Sequence, residues 1–105
     1  MPVNLPPSKP QPKPRPLTAD QWERLARFED TPDNAKSEAE LLEELRLRTL
    51  TDAWNRYRIA GNIRALLPEG AEVRRGLITD VTDASPYKRE YVGRIRDGIA
   101  ANYRD

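Results

Sequence analysis

The sequence predicts an all-α protein: a small helical bundle of four to five helices behind a disordered, proline-rich N-terminal arm. Three observations lead there. From Leu17 onward the apolar residues return at i, i+3 and i+4, and no stretch alternates as a half-buried strand would. Two capping boxes, Thr18-Ala19-Asp20-Gln21 and Ser37-Glu38-Ala39-Glu40, stand in front of such segments. Seven of the ten prolines crowd into residues 1–16, so most helix breakers lie outside the periodic part.

The arm, MPVNLPPSKPQPKPRP, has too little apolar surface to offset the entropy of ordering, and its prolines favour an extended polyproline-like coil. Lys9, Lys13 and Arg15 make it basic, with no acid before Asp20. Three readings stay open: a solvated tail, an arm on DNA backbone or minor groove, and a ligand for a proline-reading partner.

The first helix starts at the Thr18 box with Leu17 stapled onto Trp22. It runs through Leu25, Ala26 and Phe28 until Pro32 and its Asx neighbours turn the chain. Trp22 is expected as a core anchor rather than a base-stacking surface. The Ser37 box opens a helix carrying Leu41, Leu42, Leu45, Leu47 and Leu50. These are more apolar positions than one stripe needs, which predicts one face on the core and another on a partner chain. Ala53, Trp54, Tyr57, Ala60, Ile63 and Leu67 extend the pattern to Pro68. Unbroken over 38–67, the helix would be about 45 Å long and would imply pairing with a second chain. A break at Thr49-Leu50-Thr51, with Thr51 capping a new helix, gives a compact hairpin and is the expected arrangement. Glu38, Glu40, Glu43 and Glu44 are expected as a solvated face, since metal or acid–base chemistry needs convergent, inward carboxylates.

The chain has no Cys and no His, which excludes disulfides, thiolate metal sites and the commonest general base. Ser8, Ser37 and Ser85 lie in no nucleophile motif. No apolar run approaches the roughly 20 residues of a membrane span, and the N-terminus lacks the apolar core of a signal peptide. The expectation is a cytoplasmic, non-enzymatic protein without metal or cofactor. A net charge of +1 hides an uneven layout: residues 1–17 hold three bases and no acid, 18–48 five bases against nine acids, 49–86 five of each, and 87–105 five bases against three acids. Such a distribution suits a protein that touches polyanions with its two positive regions.

Glu72–Ala84 sets Val73, Leu77, Val81 and Ala84 on one helical face, with Gly76 inside the helix. Ser85-Pro86 has the form of a helix start, a hydroxyl N-cap followed by proline at the first position. The helix it opens is expected from about Pro86 to Asn102, with Tyr87, Val92, Ile95 and Ile99 inward and Lys88, Arg89, Arg94 and Arg96 outward. Over about residues 78–97 this resembles the helix-turn-helix DNA-binding domain of repressors and sigma-type promoter-binding proteins. Val81 and Thr82 stand where the first helix has an aliphatic and a small residue, and Val92 and Ile95 where the second helix is buried. Pro86 and Ser85 depart from the family, which has Gly in the turn preceded by an apolar residue. The resemblance implies a second helix lying in the major groove. Lys88, Arg89 and Arg94 would then contact bases. Arg74, Arg75, Ser85 and Arg96 would contact the DNA backbone, and Lys9, Lys13 and Arg15 would be arm contacts.

The function this predicts is sequence-specific binding of double-stranded DNA by a small, nucleoid-associated transcriptional regulator of a phage or mobile-element kind. It would act as a homodimer through the leucine-rich helix. Residues 1–16 would be the arm, 17–71 the bundle and dimerisation region, and 72–105 the helix-turn-helix. The competing reading is a helical adaptor whose 38–67 helices bind a protein of the transcription or virion machinery.

Overall fold

Thr18 opens the first helix as its box predicts. In the computed structural model, which describes residues 7–104, α1 (Ala19–Glu29) begins with the Gln21 amide donating to the Thr18 hydroxyl at 3.2 Å. The Thr18 amide donates in return to the Gln21 side-chain oxygen at 2.9 Å. Two donors that a helix start leaves open are thereby satisfied. A 3₁₀ turn (Asp33–Ala35) follows, then α2 (Glu38–Leu66), α3 (Leu77–Ala84) and α4 (Arg89–Arg96). Among the described residues the only strands are β1 (Gln11–Pro12) and β2 (Tyr103–Arg104), paired in parallel. The fold is therefore mostly all-α, with one two-residue ladder that the sequence did not announce.

The chain divides into two compact units: Pro14–Asn55, and Arg56–Asp105 together with the N-terminal segment to Lys13. The unit holding α3 and α4 thus begins within α2 rather than at residue 72, because Ala60, Ile63 and Leu67 share its core.

In the Pro14–Asn55 unit the core is Leu17, Leu25, Phe28 and Leu47. Trp22 is no core anchor; it is 46% exposed. At about 100° per residue it sits roughly 90° round from the midpoint of Leu25 and Phe28, and Leu17 packs into their cluster instead. Leu41, Leu42, Leu45 and Leu50 are exposed, Leu45 by 61%. The Ser37 box forms as expected, the Glu40 amide donating to Ser37 Oγ at 3.2 Å and the Ser37 amide to Glu40 Oε1 at 3.0 Å. Glu44 departs from the expected solvated face and is buried. It accepts from Lys36 Nζ at 2.5 Å and from Arg48 Nε at 2.8 Å. The Lys36 side chain is only 2% exposed, which a charged amine tolerates because Glu44 and Asp33 accept its hydrogen bonds.

α2 runs through Thr49-Leu50-Thr51 without the expected break. The Thr49 hydroxyl donates back to the Leu45 carbonyl at 2.8 Å within the same helix, and Thr51 lies inside α2 instead of capping a new one. The Thr51 hydroxyl is buried without a partner, a cost of about 1–3 kcal/mol that the continuous helix carries.

The second unit is built around Ala60, Ile63 and Leu67 of α2, Val81 of α3, Val92 and Ile95 of α4, and Ala100. Gly76 does not lie inside a helix from Glu72. It is the N-cap of α3, with φ +87°, and the left-handed turn there ends any helix arriving from the N-terminal side. Likewise α4 does not reach Asn102. Gly98 (φ +73°) closes it in a Schellman motif, with the Gly98 amide on the Ile95 carbonyl at 3.1 Å and the Ile99 amide on the Arg94 carbonyl at 2.8 Å. The chain beyond folds back to β2.

Residues 1–6 of the arm lie outside the described residues. The arm from Ser8 is extended as expected, but it is docked instead of free. The Ser8 hydroxyl donates to the Ile99 carbonyl, Asn102 Nδ2 to the Ser8 carbonyl at 3.1 Å, and the Gln11 amide to the Asn102 carbonyl at 2.9 Å.

The carboxyls of Glu44 and Glu43 are held below the usual range by hydrogen bonds, Glu44 from Lys36 and then Arg48, Glu43 from Arg24. Lys36 is held above its usual range, chiefly by its hydrogen bond to Glu44. A depressed carboxyl stabilises the fold above about pH 4.3, and that stability is lost as pH falls through the folded value. A raised lysine stabilises it below about pH 10.4, and that stability is lost as pH rises through the folded value. The thermal midpoint is therefore expected to be flat near neutrality and to fall at both extremes. Glu44→Gln should lower the neutral plateau and weaken the acid-side slope, measured by circular-dichroism melts. An acid limb identical to that of the unmodified chain would exclude the Lys36–Glu44 pair as its source.

Candidate nucleic-acid interface

The α3–α4 corner takes its geometry from Ser85. The Ser85 amide closes α3 on the Val81 carbonyl at 3.0 Å, and its hydroxyl accepts from the Tyr87 amide at 3.2 Å while lying 3.1 Å from the Thr82 carbonyl. Ser85 is thus the C-cap of α3 and not the N-cap of α4, and Pro86 stands in the turn, two residues ahead of Lys88. The Ser85 hydroxyl takes the Tyr87 amide as an N-cap would, but the helix bonds of α4 begin only with the Val92 amide on the Lys88 carbonyl at 3.0 Å, so the helix starts three residues after Pro86. Lys88 takes the N-cap position of α4 and supplies no side-chain acceptor. The first-turn amides of α4 are accordingly left without a side-chain partner, a terminus that favours an anion.

Val92 and Ile95 are fully buried. At about 100° per residue, Glu90, Gly93 and Asp97 lie opposite them, with Arg89 and Arg94 on the two flanks, about 140° apart. The two arginines predicted as joint base contacts therefore do not share one face. Lys88 and Arg89 are exposed beside the corner. Arg94 is half-buried, its Nε enclosed without a partner. It lines an open cleft of about 360 Å³ together with Tyr87, Lys88, Glu90 and Tyr91. The Tyr87 and Tyr91 rings are 4.6 Å apart there, tilted by 57°.

The other predicted contacts separate by their charge partners. Arg74 is spent on Asp80 at 2.7 Å. Arg96 is spent on Asp97 at 3.0 Å, and that hydrogen bond raises its already high pKa further. Ser85 is committed to the turn. Arg75 is exposed. Among the described residues Lys88, Arg89 and Arg94 form no ion pair. Of the arm residues, Lys9 and Lys13 belong with the α3–α4 unit, whereas Arg15 falls in the other.

Sequence reasoning missed Arg64. Its Nε donates to the Ile95 carbonyl at 3.2 Å and its Nη2 to the Ala101 carbonyl at 2.7 Å, holding the end of α4 and the segment beyond it. The available signal was its place among Ala60, Ile63 and Leu67, a charge beside a buried stripe. Gly98 was the other missed signal, a glycine two residues past the last helical arginine.

Among the described residues no cluster of acidic side chains could hold a metal ion, and no helix is long and apolar enough to cross a membrane. No protein-family model, no curated protein and no solved structure matches this chain.

α3 itself starts from a left-handed residue, Gly76. A Cβ built on Gly76 meets nothing closer than Arg74 Nη1 at 3.9 Å, so substitution brings conformational strain alone. Gly76→Ala should cost about 1–2 kcal/mol by urea unfolding. A neutral effect would mean that this backbone does not hold the left-handed conformation.

Proposed function

We propose that the Arg56–Asp105 unit binds double-stranded DNA in a helix-turn-helix manner, as a small, non-enzymatic transcriptional regulator. The observation that carries this reading is that Lys88 and Arg89 open α4, a helix without a side-chain cap, and Arg94 follows in its last turn, none of the three ion-paired among the described residues. In this reading Lys88 and Arg89 reach base edges and Arg94, on the other flank, takes a backbone phosphate. Arg75 supplies a further backbone contact. Fluorescence anisotropy on a random-sequence duplex tests it. The unmodified chain should bind at low salt and weaken steeply as salt rises. Arg89→Ala should cost about tenfold or more in affinity on a selected site, with helicity unchanged. Absence of duplex binding at low salt would end this reading.

A second reading has its own observation: Leu41, Leu42 and Leu45 are exposed on the first part of α2. Exposed leucines so closely spaced suit a protein partner, either a second copy of this chain, which would make a two-fold DNA reader, or another helical protein. Sedimentation of the Leu41→Ser, Leu45→Ser double variant should show a shift from dimer to monomer. An unmodified chain that stays monomeric across a hundredfold concentration range would remove the homodimer.

A further inference from the structure

Gly93 stands in the middle of α4, and glycine is among the poorest helix formers. Nothing inside the chain asks for it there. The left-handed glycines of this unit are Gly70, Gly76 and Gly98, and Gly93 is not one of them. A Cβ built on Gly93 meets only Arg96 Nη2, at 3.9 Å, an ordinary contact with the end of a flexible side chain. Alanine would therefore fit and would strengthen the helix. Gly93 lies away from the buried Val92 and Ile95, on the side of α4 that carries Glu90 three residues earlier. A glycine so placed removes the side chain between the helix backbone and whatever comes against it.

Glu90 narrows what that is. It is exposed, and among the described residues it forms no ion pair. It stands in the cleft with Lys88 and Arg94. A carboxylate there repels phosphate and can only accept hydrogen bonds, so it suits a surface that presents N–H donors. In the major groove those donors are exocyclic amino groups, and the amino group of cytosine is the one that a Glu side chain accepts from. We infer that the Glu90–Gly93 face is the part of α4 that meets the floor of the groove, with Glu90 accepting from the amino group of a cytosine and Gly93 as the point of closest approach. The inference rests on the duplex-binding reading above and gives it a base preference. A methyl group on residue 93 would hold the helix off the bases. A hydrogen bond of about 2.9 Å does not survive lengthening to about 3.6 Å, so the contact of Glu90, one turn away, would be lost with it.

Two variants of the full chain decide the matter. In Gly93→Ala, stability and binding should move in opposite directions: the thermal midpoint rises by about 4 °C, while affinity for a selected duplex site falls about tenfold. Gly61→Ala is the control. Gly61 lies in α2 of the same unit with nothing within 4 Å of its Cβ position, so its substitution should raise the midpoint likewise and leave affinity unchanged. Glu90→Gln should change the base preferred at one position of the selected site from cytosine to adenine, because a Gln side chain pairs with adenine at both N6 and N7. Its affinity for random-sequence duplex should not fall. A Gly93→Ala chain that is more stable and binds as the unmodified one does overturns this inference and leaves duplex binding standing. So does an unchanged site preference in Glu90→Gln, or equal weakening by Gly61→Ala. An unmodified chain that binds no duplex at low salt overturns the reading beneath it as well.

Discussion

The Arg64 guanidinium reaches from α2 to the carbonyls of Ile95 and Ala101, and much of its unit hangs on that reach. A helix end leaves its last carbonyls without intrahelical donors. Gly98 satisfies part of that need through the Schellman motif, and Arg64 satisfies more by bringing a charged donor from another helix. The segment so held, Ile99 to Arg104, is the ledge on which the arm docks. Without it Ser8 and Gln11 would have no carbonyls to meet.

The corner sets where its cations stand. At the corner, Ser85 folds onto Tyr87 and Pro86 delays the next helix. Arg89 consequently opens a short α4, whose buried Val92 and Ile95 force Arg89 and Arg94 onto separate flanks. Asp80 is taken by Arg74 and Asp97 by Arg96, while Glu90 stands in the cleft with Lys88 and Arg94.

The Pro14–Asn55 unit spends its charges in the opposite way. Lys36, Glu44, Arg48 and Glu29 are linked in a chain of ion pairs, with Lys36 and Glu44 shielded from solvent. Its leucines, meanwhile, remain largely outside. Buried polar groups and exposed apolar ones on the same helix are the reverse of a simple amphipathic pattern. The five leucines of the segment accordingly say little about which of them is core.

Local chemistry in the sequence determined the helical class, both capping boxes and the inward positions Val81, Val92 and Ile95. Each depends on residues within one or two turns, where hydrogen-bond geometry and period leave few choices. The same locality misled at Ser85-Pro86, which fits a helix start when read alone, and at Thr49-Leu50-Thr51, which fits a break. In one case the next helix begins only at Arg89, and in the other the helix runs on with the Thr49 hydroxyl on the Leu45 carbonyl. Only the tertiary structure decided that Trp22 lies outside, that Glu44 lies inside, that Arg64 braces the end of α4, and that the arm is a docked edge strand. These depend on partners 8 to 94 residues away in the chain. Spacing along a sequence carries no information about which distant carbonyl a donor will meet.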